Sequence, residues 1–146
     1  MLTFEIKEES DLIMPKLERY SLSSLIKGVC EQFDIDREEL LSRRRQSSLV
    51  KPRHIMYYLG YKHTGYSLPK LGSMLDRDHT SILYAKDKIA KQILDPNSGI
   101  ETQLLVNQTH LLAMMNEEHR QTKLEEYRNE VNEMIDRINT ERLNGL

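Results

Sequence analysis

The chain has 146 residues, enough for one domain or for a small domain with an extension. Charged residues make up 30% and aromatics 6%, with no Trp and few Gly or Pro, which favours an all-α protein over a sandwich or barrel. The single Cys30 excludes an internal disulfide, no apolar run approaches the ~18 residues that span a bilayer, and the acidic N-terminus is not a signal peptide. A cytoplasmic protein without membrane contact is therefore expected. The formal net charge of −2 conceals an asymmetry. Residues 21–95 carry 13 basic and 9 acidic side chains, a net +4, and the remainder carries 8 and 14, a net −6. Between Glu39 and Asp76 run 36 residues with no acidic side chain. A basic middle between acidic ends is the footprint of a polyanion-binding module with non-binding appendages.

Residues 1–20 read as an acidic N-terminal arm; Leu2, Phe4 and Ile6 alternate as in a strand, but a lone strand has nothing to pair with. A first helix is expected from a Ser23 or Ser24 cap to about Phe33, on the spacing of Leu25, Ile26, Val29, Cys30 and Phe33. A short helical turn over 36–41 leads into the basic loop Ser42-Arg43-Arg44-Arg45-Gln46-Ser47-Ser48. Pro52 is tolerable only in a first turn, so the next helix starts just before it, continues through Ile55, Tyr58 and Leu59, and ends before Gly65. Ser67 caps a short helix with Pro69 in its first turn and Leu68, Leu71 and Leu75 facing the core, while Gly72 permits close approach by a neighbour.

After a brief turn at Asp76-Arg77 comes the helix around which the chain is organised. Asp78 caps it, and Ile82, Ala85, Ile89 and Ile93 fall within about an 80° arc suited to a core. Thr80, Tyr84, Lys88 and Lys91 stand opposite. A short helix, a tight turn and a longer helix with an exposed first turn of hydrogen-bonding side chains form a helix-turn-helix pattern, suited to the major groove. Residues 96–99 read as a linker, and residues 100–146 as a helical extension, either one long helix or a hairpin. Ile100, Leu104, Leu111 and Met114 make one apolar stripe; Leu124, Tyr127, Val131, Met134 and Ile138 make a second, about one residue out of phase. Such stripes need a partner surface, from the protein's own domain or from a second copy in a coiled coil.

The runs Ser42-Arg43-Arg44-Arg45, Val50-Lys51-Pro52-Arg53, Ser67-Leu68-Pro69-Lys70-Leu71-Gly72 and Arg77-Asp78-His79-Thr80-Ser81 occur together in order and register. In this, residues 21–93 resemble the C-terminal DNA-binding domain of the bacterial replication initiator DnaA. The resemblance implies an all-α, Trp-repressor-like helix-turn-helix bundle that binds double-stranded DNA, with Asp78, His79, Thr80 and Ser81 reading base edges in the major groove. It implies Arg45 in the adjacent minor groove, Lys51 and Arg53 on phosphates, and Ser67 and Pro69 approaching the duplex from the short helix. Arg43, Arg44, Arg77 and Lys88 complete the expected contact set. Ser81 stands where the family often has Thr, Asp76 where a Gly pair is common, Ser47 at a commonly basic position and Tyr61 where lysine is frequent. No Gly-rich phosphate loop ending in Gly-Lys-Ser/Thr is present, as expected of a stand-alone, phage- or plasmid-encoded relative without the ATPase machinery.

Asp78 is a helix cap with or without DNA, His79 could be an ordinary surface histidine, and short charge runs such as Arg43–Arg45 are often merely solvated. The five histidines are scattered without metal-ligand spacing, and neither an enzyme nor a cofactor is expected. The expected role is initiation or regulation of replication at an origin. Its rivals are a transcription regulator and a protein-interaction module antagonising the host initiator. Besides DNA, the expected partners are a second copy through residues 100–146 and replication proteins.

Overall fold

A computed structural model describes residues 19–145, and no strand occurs among them; the alternating Leu2, Phe4 and Ile6 lie outside the described residues. Six α-helices follow one another: α1 (Leu22–Phe33), α2 (Arg37–Leu41), α3 (Val50–His63), α4 (Leu68–Leu75), α5 (His79–Ile93) and α6 (Gly99–Asn144), with a 3₁₀ turn at Ser47–Leu49 before α3.

The cap of α1 lies two or three residues before the expected one. Ser21 accepts the Ser24 N–H. Ser24 lies inside the first turn, where its buried hydroxyl donates to Glu117 of α6 at 2.7 Å. Leu25 and Val29 of α1 meet Ile55, Tyr58 and Leu59 of α3, Leu71 of α4 and the α5 stripe in one core. The stripe is as expected: Ile82, Ala85, Ile89 and Ile93 are each no more than 1% exposed. Pro52 sits in the first turn of α3, where a missing N–H costs nothing.

The turn between α4 and α5 is built for closeness. Ser67 accepts the Lys70 N–H at the start of α4, and Asp76 ends the helix in the left-handed region at φ 54°. A β-carbon on Gly72 would lie 2.6 Å from the Arg77 carbonyl oxygen and 3.3 Å from the His79 nitrogen. Only glycine lets the start of α5 fold this tightly onto α4.

The extension is a single helix of 46 residues, not a hairpin, and its packed face is not the one that hydropathy selects. Ile100, Leu104 and Leu111 are exposed, and Met114 is half-buried. The buried positions are Gly99, Thr102, Gln103, Val106, Thr109, His110, Ala113 and Glu117. This face wins because α1 offers it Gly28. A β-carbon there would sit 2.9 Å from the Ala113 nitrogen and 3.3 Å from the Thr109 carbonyl oxygen, so the two helices cross nearly backbone to backbone. Small side chains suit such a crossing, and several polar ones on this face are bonded. Thr109 donates to the Leu105 carbonyl, and the Tyr20 hydroxyl lies 2.9 Å from His110 Nδ1. Burial, then the neighbouring His63, pulls His110 down to about 4, leaving a neutral ring at physiological pH to accept that hydroxyl proton. Glu117 accepts from Ser21 and Ser24 and pairs with Arg120 at 2.6 Å. Val106 and Ala113 join the common core, so the first five turns of α6 are part of the bundle. From Glu118 to Gly145 every residue is exposed apart from the half-buried Val131. That is about 40 Å of helix at 1.5 Å per residue.

Candidate nucleic-acid interface

The basic loop has no apolar anchor of its own, and two arginines from other elements hold it. Arg53 on α3 donates to the Leu40 carbonyl at 2.9 Å, to Glu39 at 3.1 Å, to Ser42 at 2.7 Å and to Arg44 at 2.5 Å. Arg77, in the α4–α5 turn, donates to the Leu41 and Ser42 carbonyls. These oxygens lie at or just beyond the C-terminus of α2, where a helix leaves its last carbonyls without partners and its dipole favours a cation. The guanidinium fork suits the task, because it serves several acceptors from one rigid plane.

With the loop pinned, an open cleft of about 1050 Å³ forms between it and the helix-turn-helix; Arg43, Arg45, Arg53, Arg77, Asp78 and Ser81 border it together. Arg43, Arg44 and Arg45 are exposed. Arg43 reaches Asp76 across 2.8 Å of solvent-exposed space, and this hydrogen bond holds the Asp76 carboxyl below its ordinary value. At the start of α5, Asp78 accepts the Thr80 N–H and the Thr80 hydroxyl, both at 2.9 Å, and these bonds lower its carboxyl in turn. His79 Nδ1 lies 3.5 Å from the same Asp78 oxygen. Residues 78–81 are all exposed, so this first turn is both capped and accessible. Ser67 and Pro69 are exposed at the start of α4.

Two of the expected phosphate ligands make bonds within the chain. Lys51 donates to Gln92 at 2.7 Å and to Thr102 at 3.0 Å, tying α3 to the end of α5 and the start of α6. Burial lowers its pKa. The Arg53 guanidinium is spent on the loop carbonyls described above. Lys88 is half-buried and, with Lys51, adds to the burial that holds His54 below its ordinary value.

Sequence reasoning passed over His54, Gln46 and Ser73, which also border the cleft, and noted Ser47 there only as a departure. The usable signal for His54 was its place one turn after Val50 inside the acid-free stretch, on the helix that starts beneath the basic loop. Asp76 was noted only as a departure, although its carboxylate is the nearest anion to the exposed loop arginines that any bond records. Among the described residues no group of His, Cys, Asp or Glu could hold a metal ion, and no helix is long and apolar enough to cross a membrane.

Comparison with known proteins gives this geometry a lineage. Residues 22–89 match the family described as the bacterial dnaA protein helix-turn-helix. The chromosomal replication initiator protein DnaA of Caldanaerobacter subterraneus is 32% identical over 88 residues, covering 60% of this chain and 20% of that protein. The DnaA of Xanthobacter autotrophicus is 38% identical over 92 residues, 60% of this chain and 18% of that protein. The DnaA of Nitrobacter hamburgensis is 35% identical over 105 residues, 70% and 22% respectively. The chain thus spans about a fifth of the length of these relatives. Residues 22–89 belong to the DnaA helix-turn-helix family, with the matched relatives aligning through their C-terminal DNA-binding part.

Proposed function

We propose that this protein binds double-stranded DNA sequence-specifically at a replication origin or at DnaA-box-like sites, and acts in the initiation of replication or its regulation. The observation that carries the reading is the cleft where exposed loop arginines face the capped, accessible first turn of α5 within a DnaA-type helix-turn-helix. Arg43, Arg44 and Arg45 supply the sequence-independent attraction to phosphates, with Arg45 entering the minor groove. Asp78, His79, Thr80 and Ser81 read base edges, the Asp78 carboxylate as acceptor from a cytosine amino group and Thr80 through its methyl on a thymine. Arg53 and Arg77 act by placing the loop. Residues 21–95 are the DNA-reading unit, residues 96–99 lead out of it, and the role is binding without catalysis, on nucleoid DNA in the cytoplasm.

The test is selection of bound duplexes from a random pool by the purified chain at fixed, near-physiological salt. An enriched motif related to a DnaA box is the expected result. Retention without enrichment, fading uniformly as salt rises, would leave only a basic surface and overturn the reading.

A further inference from the structure

Taking the buried positions of α6 instead of its most apolar ones removes the phase slip. The face packed on the bundle advances by alternating steps of four and three from Gly99 to Glu117. The same alternation, carried through Arg120, lands on Leu124, Tyr127, Val131, Met134 and Ile138. One seam therefore runs the length of the helix. It is small and polar where α1 covers it and apolar where no described residue does, with Tyr127 65% and Met134 52% exposed. A surface continuous with an interface already formed, and repeating with coiled-coil period, is shaped for another helix.

The charges beside the seam select the occupant. In a parallel pair of identical helices the flanking positions would set Lys123 against Arg128 and Arg137 against Arg142, like charges in both cases. In an antiparallel pair centred between Asn132 and Glu133, Glu130 of each copy faces Arg137 of the other. Val131 then opposes Met134, Tyr127 opposes Ile138, and Arg128 flanks Ile135 without a clash. In that register Gly145 falls opposite Arg120, just clear of the Glu117 contact with α1, so the coil fills the uncovered part of the seam and stops where the bundle begins.

We infer that residues 124–141, with Leu124 of each copy opposite Glu141 of the other, pair with the same segment of a second copy of this chain as a short antiparallel coiled coil. The two bundles then sit at opposite ends of the coil. The inference is independent of DNA binding and is tested without DNA. Sedimentation equilibrium of the full chain should give a concentration-dependent dimer in the micromolar range. Glu130→Arg alone should raise the dimer dissociation constant about tenfold, since two attractive pairs become two repulsive ones. Adding Arg137→Glu should return it to near the wild-type value, with far-ultraviolet circular dichroism unchanged throughout. Val131→Glu should abolish pairing without unfolding the bundle. A monomer at high micromolar concentration would overturn the inference, and so would a double reversal no better than the single one.

Discussion

Arg53 separates two ways in which an arginine can serve a DNA-binding surface. A phosphate clamp contributes charge, and lysine can replace it; a strut contributes a fork, and lysine cannot. The four carbonyls that Arg53 reaches belong to Glu39, Leu40, Ser42 and Arg44, and Arg77 shares only the Ser42 oxygen. Each bond to a charged donor contributes about 1.5–3 kcal/mol when desolvated. Here the group is only partly buried and water can reoccupy the loop carbonyls, so Arg53→Ala should cost ~2–3 kcal/mol of stability in a urea melt. Arg53→Lys should recover little of it. Binding to a preferred duplex should weaken in both variants, because the loop carrying Arg45 is no longer held in register. Binding to a random duplex should stay nearly constant, with the slope of log affinity against log salt unchanged. Loss of a real phosphate contact would instead make that slope shallower by ~0.9 for every sequence alike. The strut role is refuted if Arg53→Ala lowers the slope by that amount without loss of stability and Arg53→Lys restores it.

Other perturbations probe the rest of the surface. Arg45→Ala and Thr80→Ala should each weaken binding to the preferred site by ~1–3 kcal/mol at matched salt, Thr80→Ala with sharper loss of discrimination; wild-type affinity in both would remove the proposed base contacts. Asp76→Gly relieves a left-handed backbone at a residue with a β-carbon and frees Arg43 from its carboxylate. Random-duplex affinity should rise several-fold at low salt and converge on wild type at high salt, read by fluorescence anisotropy. Glu117 is held at about 2 by its bond from Arg120 first, against the opposing effect of burial, with Ser24 and Ser21 adding to the lowering. A depressed carboxyl stabilises fully above its unfolded value near 4.5, and that contribution disappears as pH falls towards 2. Glu117→Gln should therefore lose on the order of 2 kcal/mol at neutral pH, discounted for the solvent beside Arg120, and the gap should close in acid; a gap independent of pH would mean that packing, not charge, docks α6 on α1.

The helix-turn-helix could be read from sequence because each of its signals acts locally. Ser67, Pro69, Asp78 and the spacing of Ile82, Ala85, Ile89 and Ile93 determine caps and faces within one or two turns, and tertiary packing has no reason to override them. Gly72 was legible for the same reason, since a glycine inside an otherwise apolar short helix points to a backbone contact. The bonds of Arg53 and Lys51 were not legible. Whether a cation faces a phosphate or a carbonyl depends on where α2 happens to end, more than ten residues away in the case of Arg53. Motif position marks that arginine as important without saying which oxygen it serves.

The extension misleads for a different reason, and the error is informative. Periodicity assigns the core to the most hydrophobic stripe, on the premise that burial of area decides the face. At the α1 crossing, distance decides instead: with glycine at 28, a backbone approaching within van der Waals contact of Ala113 leaves no room for Leu104 or Leu111 between the helices. The chosen face is offset from the hydropathic one by a single residue, from Leu104 to Gln103, from Leu111 to His110 and from Met114 to Ala113. That offset equals the apparent slip between the two stripes. Once the glycine sets the phase, the polar seam of the first five turns and the apolar seam beyond them become one face of one helix. The apolar half is then a surface that the described residues leave uncovered, because α6 runs on past the end of its contact with α1.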